Sequence, residues 1–202
     1  MKQEENKYIG DDKFAKMLEH YQCPTPLNVI KMKFAGAVCS PNLELKPVDV
    51  ISSFWEKGKV PRLETKSEAD WFFKFFMGLW DEVFTIVHDN QVKLPEHKIS
   101  RKDDLVDACF ARVMEIEFGF VEGFWGGRDD FELPTFVGEM IDSLSELAGA
   151  YHQLSEMVED TKDLKPFKEH FTYTDKMAVK AISFIIENYV LPRIESLSRQ
   201  MN

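Results

Sequence analysis

Two glutamates in the middle of the chain are the first residues whose spacing could support chemistry. Glu115 and Glu122 are seven positions apart, so an α-helix would place their carboxylates on one face, two turns apart. Paired carboxylates can exchange protons with a substrate or bind a cation. The same spacing is also typical of the solvated edge of an amphipathic helix, which is the interpretation that we favour.

Histidine and cysteine offer one further pair. Cys23 follows His20 by three positions, a spacing that could bring both side chains to one metal ion. The chain holds three cysteines without a Cys-x-x-Cys, and it lacks the His-Glu-x-x-His, Glu-x-x-His, phosphate-loop and Gly-x-Ser-x-Gly motifs. We therefore interpret His20 as a surface residue and Cys23 as a small buried one. We expect no catalytic residue, no metal and no other cofactor.

A turn-prone connector brings together an aromatic ring, a guanidinium group and two carboxylates. Its residues of interest are Trp125, Arg128, Asp129, Asp130 and Phe131. Loops carry binding residues more often than cores do, so we name these five residues, together with Trp55, as a candidate interaction surface. The alternative is structural: two glycines end a helix, the tryptophan packs inward and the arginine pairs with a neighbouring acid.

The element that must position these residues is a helix predicted from about 101 to 125, at the centre of the fold. Ser100 can cap its start, and Gly126 with Gly127 can end it. Apolar residues recur at steps of three and four and define one buried face: Val106, Cys109, Val113, Ile116, Phe120 and Phe124. Three more apolar residues would widen this face until little of the helix stays wet: Phe110, Phe118 and Val121.

Two glycines lie inside this predicted central helix. Gly119 and Gly123 are four positions apart, and each costs about 1 kcal/mol relative to alanine in a helix interior. Packing can offset that cost, because a position without a side chain lets another backbone approach closely. We predict that a neighbouring helix crosses at these glycines, with a contact between two copies of the chain as the alternative.

The rest of the chain shows the same helical periodicity. About seven helices are predicted and no strand, which gives an all-α fold with bundle-like or orthogonal packing around the central helix. We take residues 1–202 as a single domain, with a loose N-terminus at 1–10 and a short C-terminal extension at 192–202.

Two of the other helices carry specific expectations. The most apolar stretch, Trp71–Val87, predicts a helix that is buried among others or lies at an interface, including that of a homodimer. The last main helix is predicted to start at Thr174 or Asp175, and Pro192 is predicted to interrupt it because proline removes a helical hydrogen bond.

Composition limits the classes of partner. Apolar residues make up 44% of the chain and charged residues 30%, and the formal net charge is −10. An acidic surface does not favour binding to a nucleic acid backbone, which needs a basic patch. No apolar run is long enough to span a membrane or to form a signal peptide, so we expect a cytoplasmic protein without membrane association.

Several short segments resemble the bacterial YecA/YgfB-like family. Phe118–Gly123 is similar to the Phe-Gly-Tyr-x-x-Gly segment of that family, and a Leu-Pro pair at Leu133 follows at a similar distance. Gly36–Pro41 resembles the family's small-residue helix end, and Pro47 and Trp55 are similar to its proline-initiated helix and tryptophan. The resemblance covers roughly residues 26–190 in patches.

The chain also departs from this family pattern. Lys33 stands where the family usually has a glycine, and the Cys-rich metal-binding tail of YecA-like members has no counterpart here. The resemblance therefore implies an all-α bacterial cytosolic domain with no catalytic or metal-binding residues to carry over.

Taken together, these observations predict a non-enzymatic protein-interaction or regulatory module, with a contact region made by the connector Trp125–Phe131, Trp55 and the edges of the apolar helix predicted over Trp71–Val87. The alternative is a small-ligand or metal-binding protein, or an enzyme, with a pocket between helices beside Gly119 and Gly123. A homodimer is compatible with both hypotheses.

Overall fold

The computed structural model describes residues 7–158 and 163–200. The helices in these residues are α1 (Asp11–His20), α2 (Leu27–Cys39), α3 (Pro47–Ser52), α4 (Lys66–His88), α5 (Lys102–Val113), α6 (Glu122–Trp125), α7 (Thr135–Met157), α8 (Lys165–Ile185) and α9 (Leu191–Gln200). A π-helical segment, Met114–Val121, joins α5 to α6, and a second one, Ile186–Val190, joins α8 to α9. The described chain therefore forms seven continuous helices and no strand, which confirms the predicted all-α fold.

The central helix comprises α5, the first π segment and α6, and it begins at Lys102. Its first turn is capped by the carboxylate of Asp104, which accepts the backbone N–H groups of Ser100 at 2.9 Å and Arg101 at 2.8 Å. The prediction that Ser100 itself caps the helix is therefore wrong. Its hydroxyl does not accept a hydrogen bond from the helix; its backbone N–H donates to the capping carboxylate of Asp104 instead. At the other end, Gly126 adopts the left-handed conformation and stops the helix.

Three glycines allow α2 to lie directly on the central helix. A β-carbon at Gly123 would sit 2.2 Å from the carbonyl oxygen of Lys33, and one at Gly36 would sit 2.0 Å from that of Phe120. At Gly119 the nearest atom would be the β-carbon of Met32, at 2.8 Å. The predicted close crossing at the glycines of the central helix is confirmed, and its partner is α2 of the same chain.

Aromatic side chains fill the core on the other side of α2, between α1, α3 and α4. The ring of Phe76 lies 5.1 Å from that of Phe14, 5.9 Å from that of Phe54 and 5.0 Å from that of Phe72. On the opposite side of the central helix, α7 packs against α5 and α8 packs against α7. The central helix therefore lies between an aromatic half and a half made by the two long C-terminal helices.

Two predictions about the exposed side of these helices are wrong. Phe110 and Phe118 were predicted to be buried, yet half of Phe110 and 43% of Phe118 are exposed. Trp71 and Phe84 on α4 are also exposed, at 44% and 42%, and six of the 23 residues of that helix are buried. Helical spacing predicts a single apolar face, but the neighbours of each helix cover only part of it.

The C-terminal helix also differs from its prediction. It starts at Lys165 rather than at Thr174 or Asp175, and Pro192 lies inside continuous helix. The π segment Ile186–Val190 lies immediately before this proline. A π turn is wider than an α turn, so it provides room for the proline ring, which would otherwise meet the carbonyl four residues earlier.

Within residues 7–158 and 163–200, no helix combines the length and the apolar character that crossing a membrane requires.

Candidate functional site

An open cleft of about 620 Å³ lies where the central helix ends. Its walls are the end of the central helix with the glycines after it, Lys33 on α2, α3 with the residues that flank it, and the first half of α7 at Ile141, Asp142 and Ser145. We call it the Trp125 cleft, after the tryptophan in the last turn of the central helix. The cleft adjoins Gly123, so it lies beside the point where α2 and the central helix cross.

The shape of the connector explains how the cleft stays open. Gly126 and Gly127 have φ angles of 57° and 78°, which a residue with a side chain rarely adopts. They turn the chain away from the helix axis and present Trp125, Arg128 and Asp129 to the cleft. A β-carbon at Gly126 would also meet the side chain of Leu45 at 2.8 Å. Both glycines are therefore part of the structure of the site.

Arg128 is held by the residues that follow it. Its Nε and Nη2 atoms donate to the two carboxylate oxygens of Asp130, each at 3.0 Å. Its guanidinium carbon lies 4.8 Å from the ring centre of Phe131. The hydrogen bonds from Arg128 lower the pKa of Asp130, and those to Asp130 raise the pKa of Arg128. Its guanidinium group is therefore already paired within the connector.

Acidic groups dominate the lining of the cleft. The lining residues that the structure describes include five acids (Asp49, Glu117, Glu122, Asp129 and Asp142) against two bases (Lys33 and Arg128). Lys33 is already bound, because its Nζ donates to Glu122 at 2.8 Å. The cleft therefore presents a negative surface beside an indole ring, and no histidine or cysteine lies in its lining.

The residues named from the sequence do not all share this surface. Trp125, Arg128 and Asp129 line the cleft, and Asp130 and Phe131 lie next to it through their contacts with Arg128. Trp55 lies elsewhere. Its ring is only 8% exposed, it packs against Phe72, and its indole N–H donates to the carbonyl of Tyr21 at 3.3 Å.

Glu115 and Glu122 were predicted to share one face of the helix, and the structure separates them. Glu115 is 1% exposed, whereas Glu122 lies on the exposed side and binds Lys33. The cause is the π segment Met114–Val121 between them, since a π turn takes more residues per turn than an α turn. Two residues seven apart therefore no longer face the same way.

The partner of Glu115 is a buried arginine that the sequence analysis did not single out. Arg112 is 2% exposed, and its Nη1 donates to Glu115 Oε2. Its Nε and Nη2 bind the two oxygens of Asp175 on α8, both at 2.9 Å, and Nη2 also reaches the carbonyl of Pro95 at 2.6 Å. The hydroxyl of Tyr151 on α7 donates to Asp175 Oδ1 at 2.5 Å. We call these four side chains the Arg112 cluster.

Protonation in the Arg112 cluster is set by the competition between burial and charge. Burial alone would lower the pKa of Arg112, but the hydrogen bonds and charges of Asp175 and Glu115 outweigh it and raise that pKa. Burial and the bond to Asp175 raise the pKa of Tyr151. His97 lies beside the cluster, with its Nε2 3.3 Å from Glu115 Oε1. The angles at this contact are not those of a hydrogen bond, so that nitrogen is buried without one.

The Arg112 cluster joins parts of the fold that are distant in sequence. It connects the central helix to α7, to α8 and to the segment that contains Pro95. Each charged group in it has a partner, as buried ions require. None of the four side chains lines the Trp125 cleft, so we assign the cluster a structural role. A polar residue on an otherwise apolar helical stripe is the signal that could have indicated it.

The pair His20 and Cys23 forms no common site. The ring of His20 stacks edge-on against Tyr21, while the thiol of Cys23 lies 3.7 Å from the carbonyl oxygens of Thr25 and Phe54. Burial raises the pKa of Cys23 above its ordinary value. Across the described part of the chain, no group of three or more His, Cys, Asp and Glu side chains is arranged to hold a metal ion.

The sequence and the fold were compared with those of known proteins. No family model matches the chain, and no curated protein or solved structure gives a significant match.

Proposed function

We propose that this protein is a non-enzymatic interaction module of the cytoplasm and that it binds another protein through the Trp125 cleft. The observation that carries the proposal is the composition of that cleft. An indole ring, an excess of carboxylates and an open volume of about 620 Å³ occur together at the end of the central helix. Aromatic anchors beside charged rims are typical of protein interfaces.

The chemistry of the cleft supports binding over catalysis. A nucleophile needs a base within hydrogen-bonding reach, and the described lining offers serine hydroxyls and carboxylates but no histidine, cysteine or tyrosine. Ser53 donates its hydroxyl proton to the carbonyl of Val50 at 2.7 Å. Glu122, the residue of the predicted pair that reaches the cleft, is bound by Lys33.

The proposal is tested by reversing charge in the cleft. We expect the double variant Asp129→Lys, Asp142→Lys to lose the partners that wild-type protein retains from cytosol, with binding to each purified partner reduced at least about tenfold. The matched control is Asp12→Lys, Glu187→Lys, which changes net charge equally on α1 and on the C-terminal helix, outside the cleft. Equal loss in both variants, with circular dichroism unchanged, would contradict a role for the cleft.

A small-ligand protein is the second candidate, because the cleft adjoins Gly123, where the sequence analysis placed a pocket. A thermal-shift screen against metal ions and metabolites separates the two hypotheses. A ligand at 100 times its dissociation constant adds about 2.7 kcal/mol to the free energy of unfolding. A shift that Asp129→Lys abolishes would favour this candidate over a protein partner.

We also propose that the chain is a bacterial relative of the YecA/YgfB-like proteins. The segments that carry the resemblance, Gly36–Pro41 and Phe118–Gly123, contribute the three glycines at the crossing of α2 and the central helix. A residue larger than glycine cannot occupy those positions without separating the helices. Solving the structure of a YecA/YgfB-like protein and comparing this crossing would test the proposal.

A further inference from the structure

We infer that the exposed side of the central helix binds an amphipathic helix of a partner protein, one with an apolar middle and basic residues near both ends. This inference rests on the proposed interaction function and specifies the chemistry of the partner. It starts from the residues that the central helix leaves exposed, and from what lies beside them on α7.

The exposed side of the central helix has an ordered composition. Reading along the helix, its exposed residues between positions 103 and 122 are Asp103, Asp107, Phe110, Met114, Phe118 and Glu122. We call these six residues the ridge. Its three middle side chains are 50%, 40% and 43% exposed. The ridge is roughly 28 Å long at the α-helical rise, so about 18 residues of a partner helix would cover it.

If burial of apolar surface alone determined how the central helix is oriented, its apolar side chains would face inward and its charged ones outward. The reverse is seen at the ridge. Two phenylalanines and a methionine face outward, while the inward side of the same helix holds Arg112 and Glu115. A contiguous row of large apolar side chains on a surface is typical of a binding site. Methionine is common on surfaces that adapt to helical partners, because its side chain is flexible and polarisable.

A groove for the partner lies between the ridge and α7. The ring of Phe110 is 6.2 Å from that of His152, and further along the central helix Glu117 and Val121 share the Trp125 cleft with Asp142 of α7. Ser145 of α7 lines that cleft, and Gly149 lies about one turn further along α7, toward His152. A β-carbon at Gly149 would have no atom within 4 Å. The floor of the groove is therefore low, and a second helix can approach closely.

Charges at the two ends of the ridge determine which helix fits. Asp103 and Asp107 lie at one end, and Glu117 and Asp142 lie near the other, where the ridge meets the cleft. Of the basic side chains at the first end, Arg101 is paired with Asp104, and Lys102 is not free of partners either. Both ends are therefore negative around an apolar centre, and lysines or arginines near both ends of a partner helix would complement them.

The same charges disfavour two other occupants. In a two-fold dimer through the ridge, the acidic ends of one copy would lie against the acidic ends of the other, on chains of formal charge −10. A bilayer with anionic lipids would be repelled for the same reason. A basic amphipathic helix satisfies both the apolar centre and the acidic ends.

The direct test uses a synthetic helical peptide of about 18 residues, with leucines on one face and lysines near both ends. Fluorescence anisotropy at about 0.15 M salt would compare it with a scrambled peptide and with one carrying glutamates in place of the lysines. We expect the basic amphipathic peptide to bind wild-type protein at least about tenfold more tightly than either control peptide. Equal affinity for the basic peptide and its scrambled form would overturn the inference.

Variants of the protein locate the binding. We expect the double variant Phe110→Ser, Phe118→Ser to weaken binding of the basic peptide at least about tenfold. The double variant Asp103→Asn, Asp107→Asn should also weaken this binding and reduce its dependence on salt. The control is Phe84→Ser on α4, where the side chain is 42% exposed. An equal loss in that control would contradict the assignment to the ridge.

Further outcomes separate this inference from the proposed function. A cytosolic partner that is lost with Asp129→Lys, Asp142→Lys but retained with Phe110→Ser, Phe118→Ser would support the cleft and overturn the ridge. Dimerisation in light scattering that Phe110→Ser, Phe118→Ser abolishes would identify a second copy as the occupant and overturn the basic helix. If the protein binds vesicles containing phosphatidylserine and the same variant abolishes that binding, the occupant of the ridge is a membrane surface and the basic helix is overturned.

Discussion

Three glycines determine how closely α2 and the central helix approach each other. At Gly36 and Gly123 the space for a β-carbon is occupied by a backbone carbonyl oxygen of the opposite helix. Backbone atoms cannot move aside as a side chain can, so these positions fix the separation of the two helices. The Trp125 cleft depends on that separation, because both helices contribute to its lining.

Substituting alanine at two glycines tests this description. We expect Gly123→Ala to lower the free energy of unfolding by about 3 kcal/mol, because its β-carbon would lie 2.2 Å from the carbonyl oxygen of Lys33. Gly149→Ala, in the interior of α7, is the control. Nothing lies within 4 Å of its β-carbon, so we expect a gain of about 0.5–1 kcal/mol. Urea denaturation of both variants measures the difference, and similar losses in the two would contradict the crossing.

The cysteines provide a second test at the scale of single residues. Cys39 and Cys109 are fully buried, and burial raises the pKa of each thiol to about 12. The thiolate is the reactive form, so both should be inert at neutral pH. We expect iodoacetamide to modify only the half-buried Cys23 in native protein, slowly, and all three cysteines in urea. Mass spectrometry of the digested protein gives the sites, and native labelling at Cys109 would be inconsistent with this core.

The elements of the fold are joined by a buried ion cluster as well as by apolar packing. Arg112 connects the central helix to Asp175 on α8 and, through that carboxylate, to Tyr151 on α7. Two hydrogen bonds join the guanidinium group of Arg112 to the two carboxylate oxygens of Asp175. A paired contact of this kind fixes orientation as well as distance. The cluster therefore determines how α7 and α8 are positioned against the central helix.

Removal of this arginine should be costly. We expect Arg112→Ala to lower the free energy of unfolding by about 3–5 kcal/mol, because it leaves Glu115 and Asp175 without their cation. Arg128→Ala is the matched control, since Arg128 makes a similar paired contact with Asp130 at the surface. Water can replace the lost partner there, so we expect no resolvable change in urea denaturation. A loss as large in Arg128→Ala as in Arg112→Ala would refute the distinction.

The two π segments show where prediction from periodicity stops. Spacing of apolar residues correctly predicted that the central helix runs from about 101 to 125, and the structure has Lys102–Trp125. The prediction that Glu115 shares a face with Glu122 was wrong, because the extra residues in the π turns rotate every later side chain around the helix axis. The start of the last helix was wrong for a different reason: Thr174 and Asp175 resemble a helix cap, but the chain is already helical from Lys165.

At the scale of the whole molecule, the N-terminal residues are attached to the core by charge. Lys31 on α2 donates to both carboxylate oxygens of Asp11, each at 2.7 Å, and the hydroxyl of Tyr8 donates to Asp11 Oδ1 at the same distance. Partial burial alone would raise the pKa of Asp11, but these hydrogen bonds outweigh it and lower that pKa.

This attachment should weaken in acid. A carboxyl group whose pKa is lower in the folded state contributes stability above its unfolded pKa, and that contribution is lost as the pH falls through the folded value. We therefore expect the urea midpoint to fall between about pH 5 and pH 2, and to fall less steeply in Asp11→Asn. Lys31→Met should reduce the slope by the same route, so the two changes should not be additive. An unchanged slope in both variants would exclude this pair as a source of acid sensitivity.

The sequence by itself determined the all-α fold, the central helix and the close crossing at Gly119 and Gly123, because helical periodicity and the absence of a β-carbon are local properties. It also indicated the connector after Trp125, whose two glycines force a turn. Only the tertiary structure decided that Trp55 is buried, that Phe110 and Phe118 are exposed, and that Arg112 is paired inside the core. Those outcomes depend on which helices cover each face and on partners as distant in sequence as Asp175, which no local pattern specifies.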